Sequence, residues 1–157
     1  MVDVTIPFQE KLRHVPDKSK VLPRWLTRLF LDGYLNDLRI PENAEKLKDP
    51  RLSPALCPLD QLVQFPKTIV VTAENDYLCR EGEVFADRLE KEAGFKVARD
   101  GNLDKGDGHG QLWRKTFRDV GHGFDIAPNL TKESERIHGA ARDEAWGMIV
   151  EAFDQEL

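Results

Sequence analysis

The 157-residue chain predicts an α/β fold, a parallel sheet flanked by helices. Three observations lead there. Lys67-Thr68-Ile69-Val70-Val71-Thr72-Ala73 is a short β-branched run without polar alternation, the pattern of a strand buried on both faces. A helical stretch from about Arg80 to Ala93 follows, with Gly82, Phe85, Ala86, Leu89 and Ala93 along one face. Strand-like segments at Phe95–Arg99 and Leu112–Val120 then complete the strand–helix–strand alternation of right-handed crossovers.

The remaining elements follow in chain order. Residues 1–20 are polar and irregular, broken by Pro7 and Pro16. Pro23 suits a first helical turn, where no N–H is needed, and Val21–Leu38 reads as an amphipathic helix. Leu22, Leu26, Leu29, Phe30 and Gly33 recur at helical spacing, and Trp25 and Tyr34 widen the apolar face. Such a face belongs in a core or lines a binding cleft. Pro41, Pro50, Pro54, Pro58 and Pro66 keep residues 39–66 loop-rich. Gly94 is placed to end the helix before it, and the Gly- and Asp-rich residues 100–111 read as a loop. The last helix is expected over Lys132–Phe153, with Thr131 as N-cap and Glu133 and Glu135 in its first turn. Its buried stripe would be Ile137, Ala141, Ala145, Met148, Ile149 and Ala152.

Bulk properties narrow the function classes. Hydrophobic residues at 40% suffice for the core of one ordinary domain, and charged residues at 32% are too mixed in sign for a disordered tail. A net charge of −5 disfavours nucleic acid or anionic membrane as a main partner. The N-terminus has no basic region followed by an apolar stretch, and no apolar run is long enough to span a bilayer. A cytoplasmic protein is the expectation. Cys57 and Cys79 lack a CxxC spacing and are expected to be free thiols.

The chemistry concentrates at two strand exits. Asp76 lies just beyond the strand at 67–73, and His122 lies in the Gly121-His122-Gly123 turn beyond the strand at 112–120. Functional groups of open parallel sheets collect at the carboxyl ends of strands. There an acid can orient an imidazole, and the imidazole can serve as general base and then acid. The simpler reading is that Asp76 caps a helix and the Gly-His-Gly segment is only a turn. Asp104, Asp107, His109 and His122 could ligate a metal but lack a recognised spacing, so no metal is expected. His14 and His138 read as surface residues.

At this point the sequence resembles the hormone-sensitive-lipase-like α/β-hydrolases, the fold-3 esterase family. Thr72-Ala73-Glu74-Asn75-Asp76-Tyr77-Leu78-Cys79-Arg80-Glu81-Gly82-Glu83 looks like that family's acid-bearing stretch. Asp49-Pro50-Arg51-Leu52-Ser53-Pro54 resembles the segment upstream of it, and Gly121-His122-Gly123-Phe124 resembles the histidine turn. The resemblance implies the C-terminal portion of an α/β-hydrolase sheet, with residues 1–50 as a cap-like segment and linker and 51–157 as part of the hydrolase domain. It also implies a carboxylic ester hydrolase needing no cofactor, with Asp76 as triad acid and His122 as triad base. Trp25, Phe30 and Tyr34 would be cap residues contacting an apolar acyl-ester substrate.

The family pattern breaks at the nucleophile. Ser19, Ser53 and Ser134 are the serines present, and none lies in a G-x-S-x-G elbow; no HGG-type oxyanion loop is present either. The chain alone is therefore expected to be a poor catalyst. Three expectations remain open: a truncated esterase, one part of a split enzyme, or a non-catalytic binding or dimerising module. In each, the strand at 67–73 would be left as an apolar sheet edge able to take a homodimer partner or a complementing chain.

Overall fold

A computed structural model describes residues 2–35, 41–98, 110–126 and 132–154. Strand β1 (Thr68–Ala73) pairs in parallel with β3 (Gln111–Phe117), in a register running from Thr68 opposite Leu112 to Ala73 opposite Phe117. The two-residue β2 (Lys96–Val97) pairs in parallel with the other side of β3, giving the order β1-β3-β2. Parallel neighbours need a crossover of a dozen or so residues. The connection from β1 across to β2, on the far side of β3, contains helix α4 (Cys79–Lys91).

The sheet has a helix on each face. Against one face, Phe85, Ala86 and Leu89 of α4 pack with Leu62, Phe95 and Leu112. Gly82 permits the close approach: a Cβ there would lie 2.6 Å from Cγ2 of Thr72. Gly94, at φ 75°, ends the helix, and the Phe95 N–H returns to the Leu89 carbonyl at 2.9 Å. Helix α5 (Lys132–Asp154) covers the other face, where Ala145 meets Ala73, Phe117, Val120 and Phe124.

The N-terminal part is stitched onto this frame by buried polar groups. Lys11 ends the one-turn helix α1 (Phe8–Lys11), and its ammonium pairs with the Glu81 carboxylate of α4, both side chains almost wholly buried. The Lys11 Nζ also donates to the Asp3 carbonyl at 2.8 Å, while Glu81 Oε1 accepts the Val2 N–H at 2.8 Å. Ser53, fully buried, accepts the Val4 N–H at 3.0 Å and donates to the Leu47 carbonyl at 2.7 Å. A second one-turn helix, α3 (Leu59–Leu62), delivers Leu62 to the core.

Four expectations are corrected. First, β1 is fully buried only at Ala73; its apolar residues Ile69, Val70 and Val71 are half-buried. The edge away from β3 has no strand partner among the described residues, so the run is covered on its faces but open along its side. Second, β3 stops at Phe117 instead of Val120, because Asp119 takes φ 60°, which breaks extended backbone. Third, the predicted strand at 95–99 shortens to two residues.

Fourth, helix α2 (Arg24–Leu35) starts after Pro23, whose carbonyl accepts the Leu26 and Thr27 N–H groups at 2.9 and 3.0 Å. Its aromatic face does not enter the core: Trp25 is 68% exposed, Phe30 58% and Tyr34 61%, and Leu29 is exposed too. The buried positions are Thr27 and Leu35. Thr131 and residues 100–109 lie outside the described residues.

The Lys11–Glu81 pair yields a stability prediction. Removing one partner strands a buried charge, which costs about 3–5 kcal/mol. Glu81→Ala and Lys11→Met should each lower the unfolding free energy read from urea denaturation by that order, and the double replacement by Met should recover most of the loss. Single changes no more costly than those at an exposed pair such as Arg28–Asp32 would show that the pair does not hold the N-terminal part in place.

Candidate active site

The β1–β3 pairing brings two turns together. Past Ala73 the ladder continues, with the Glu74 N–H on the Phe117 carbonyl at 2.8 Å and the Asn75 N–H on the Val120 carbonyl at 3.0 Å. The chain then turns at Asp76, whose N–H donates to Ala73 and whose Oδ1 accepts the Leu78 N–H, both at 3.0 Å. That fixes one carboxylate oxygen and aims the other outward. Asp76 Oδ2 lies 2.7 Å from His122 Nδ1. The carboxylate is mostly buried and the imidazole partly exposed, with side-chain exposures of 12% and 38%.

This geometry sets a proton arrangement. A carboxylate can only accept, so Nδ1 carries a hydrogen, and in the neutral imidazole Nε2 keeps its lone pair. The hydrogen bond to Asp76 raises the His122 pKa above the ordinary imidazole value, against an opposing push from burial. Tyr77 stacks on the imidazole with ring centroids 6.3 Å apart and planes 9° from parallel. Phe8 braces Tyr77 edge-on at 5.3 Å. Burial and the neighbouring Asp76 charge raise the Tyr77 pKa, so the phenol stays neutral.

His122 borders two recesses. One, of about 550 Å³, runs along the open edge of β1 between α4 and α5, with Asp76 and His122 at one end. The other, of about 410 Å³, lies between the His122 turn and the start of α5, and includes Lys20, Asp119 and His138. His138 is partly exposed, and its buried Nδ1 has no hydrogen-bond partner among the described residues. His14 is exposed.

The structure brings Asp76 and His122 together but not the three aromatic residues of α2. Trp25, Phe30 and Tyr34 line neither recess bordering His122. Among the described residues no group of three or more His, Cys, Asp or Glu is arranged to hold a metal. Asp104, Asp107 and His109 lie outside the described residues. Ser53 is engaged in the buried bonds given above, and the Ser19 hydroxyl donates to Asp17 at 2.6 Å. Cys57 and Cys79 are free and buried, and burial pushes the Cys79 thiol up to about 11, so neither is an activated nucleophile.

Two residues at the site escaped the sequence reading. Tyr77 is adjacent to Asp76, but nothing in the local pattern marks it as a stacking partner for a distant histidine. Glu81 carried a usable signal: it shares the four-residue spacing of Phe85 and Leu89, which put a carboxylate on a buried stripe.

No helix among the described residues is long and apolar enough to cross a membrane. No curated protein and no solved structure gives a significant match to the chain. A family model described as the alpha/beta hydrolase fold matches residues 3–110, a span that contains β1, the Asp76 turn and α4 and stops before His122. Since that span is well over half of the 157 residues and the sheet is parallel with helices on both faces, the chain belongs to the alpha/beta hydrolase fold family, in its hormone-sensitive-lipase-like branch.

Proposed function

We propose that Asp76 and His122 are the acid and base of a carboxylic ester hydrolase site whose serine nucleophile this chain does not supply. The observation that carries the reading is the 2.7 Å contact between Asp76 Oδ2 and His122 Nδ1 at the carboxyl ends of two adjacent parallel strands. With Nδ1–H held by Asp76, Nε2 can take the proton of a serine hydroxyl as its oxygen attacks an ester carbonyl. The imidazolium, stabilised by the carboxylate, then returns the proton to the leaving alkoxide. Water repeats the sequence on the acyl-enzyme and regenerates the serine. None of these steps needs a cofactor.

In this proposal residues 1–157 carry the acid and the base, and the nucleophile and oxyanion donors come from a further esterase segment, on the same polypeptide or on a separate one; without that segment they are inactive. Residues 1–50 are the cap-like segment and 51–157 the hydrolase part. The exposed Trp25, Phe30 and Tyr34 form an apolar face that meets a small acyl-ester substrate when the site is completed. The open edge of β1 is the place for a complementing chain. A second reading, a non-catalytic module that dimerises through that same edge, is supported by the half-buried state of Ile69, Val70 and Val71.

Two outcomes test the proposal. A fluorophosphonate probe should label none of Ser19, Ser53 and Ser134, and a short-chain p-nitrophenyl ester should turn over only when an esterase segment bearing a G-x-S-x-G elbow and oxyanion loop is added. Asp76→Asn and His122→Ala should then each lower the restored rate by about 10³–10⁴-fold. Labelling of any serine, or restored activity indifferent to both changes, refutes the assignment. A stable homodimer that no such segment restores to activity points to the second reading.

The raised pKa of His122 gives a pH prediction. A histidine whose pKa is higher folded than unfolded contributes stability that is fully present below the ordinary imidazole value of about 6.5. That contribution is lost as pH rises through the higher folded value. Asp76→Asn should lower the His122 titration midpoint seen by NMR and flatten the stability difference across this window. An unmoved midpoint would mean that the two side chains do not pair in solution.

A further inference from the structure

The histidine turn is held from behind by a segment far away in sequence. Asp17 caps the single turn Lys18–Lys20: its Oδ1 accepts the Ser19 N–H at 3.0 Å and the Ser19 hydroxyl at 2.6 Å. This segment touches both catalytic turns. The Asp17 N–H donates to Asn75 Oδ1 at 3.0 Å, and Lys20 Nζ donates to the Asp119 carbonyl at 3.0 Å. The Lys20 carbonyl occupies the space a side chain at position 121 would need, since a Cβ on Gly121 would lie 2.5 Å from that oxygen.

Asn75 is the joint. It is 1% exposed, sits next to Asp76, receives Asp17 on its side chain and donates its N–H to the Val120 carbonyl at 3.0 Å. Asp119, at φ 60°, is held in that conformation from two sides: Glu74 Oε2 accepts its N–H at 3.0 Å, and its carbonyl takes Lys20. A non-glycine residue at positive φ persists where surrounding contacts over-determine it.

We infer that the Asp17–Lys20 segment is a positioning clamp for His122, acting through Asn75 and through the side-chain-free surface of Gly121. The clamp fixes the distance between the acid turn and the histidine turn. Its catalytic meaning rests on the proposed acid–base pair, but its geometric effect does not. Lys20, Asn75 and Gly121 are positioning residues, for each acts on His122 only through the turns.

Imidazole NMR on the intact chain tests this, reading the low-field His122 Nδ1 proton and the His122 titration. Gly121→Ala should abolish the low-field signal and move the titration towards that of a free imidazole. Asn75→Ala should act in the same direction. Lys20→Ala, at a partly exposed side chain, should give a smaller displacement that Lys20→Arg restores. Gly33→Ala is the control, because nothing lies within 4 Å of its added Cβ.

A wild-type His122 signature in folded Gly121→Ala overturns the clamp. If that variant does not fold, a wild-type signature in Lys20→Ala overturns it instead. Asp76→Asn separates the two proposals: if it leaves His122 unmoved, the acid–base pair itself fails, whereas failure of the clamp variants alone leaves the pair intact.

Discussion

The parallel pairing of β1 with β3 is the interaction on which the site depends. Because Ala73 stands opposite Phe117, both strands release their chains at the same level of the sheet. Two further backbone bonds, Glu74 to Phe117 and Asn75 to Val120, extend the pairing past the strands and into the turns. A slip of even one residue would carry Asp76 about 3.3 Å along the strand direction and break its contact with His122. The helices on the two faces and the buried Lys11–Glu81 pair preserve this register, since each fixes an element packed against β1.

That dependence explains which parts were legible in the sequence. The β-branched run at 67–73 and the stripe of Phe85, Ala86 and Leu89 are local patterns, and both elements form where expected. The Asp76 turn was legible because the strand ahead of it was. The end of β3 was not: Asp119 is bent by contacts from Glu74 and Lys20, neither a sequence neighbour. Helix α2 shows a different limit. Periodicity groups Leu29 and Phe30 on one face, but it does not say whether anything covers that face, and here nothing among the described residues does. The ion pair of Lys11 and Glu81 was hidden for a similar reason, as charged residues default to solvent unless a partner 70 residues away removes them.

The resemblance and the geometry support different parts of the reading. The family match contains Asp76 and ends at residue 110, so family membership says nothing directly of His122. His122 rests instead on its contact with Asp76, its stacking on Tyr77 and the Gly121-His122-Gly123 turn. The proposed acid thus lies inside the family match, while the proposed base rests on a physical contact. Neither depends on a serine, which is why a paired acid and imidazole can be described without assigning activity to the chain.

The open edge of β1 and the exposure of His122 are two aspects of one geometry. The recess along that edge ends at Asp76 and His122, and exposed Ile126 and Trp146 stand among its walls. A strand entering the recess would satisfy the edge of β1 and cover the half-buried Ile69, Val70 and Val71. The same strand would exclude water beside the imidazole, strengthening its bond to Asp76 in the less polar surroundings. Covering the edge and tightening the acid–base pair would thus be a single event. Binding at β1 and the protonation of His122 should then be linked, each altering the free energy of the other by the same amount.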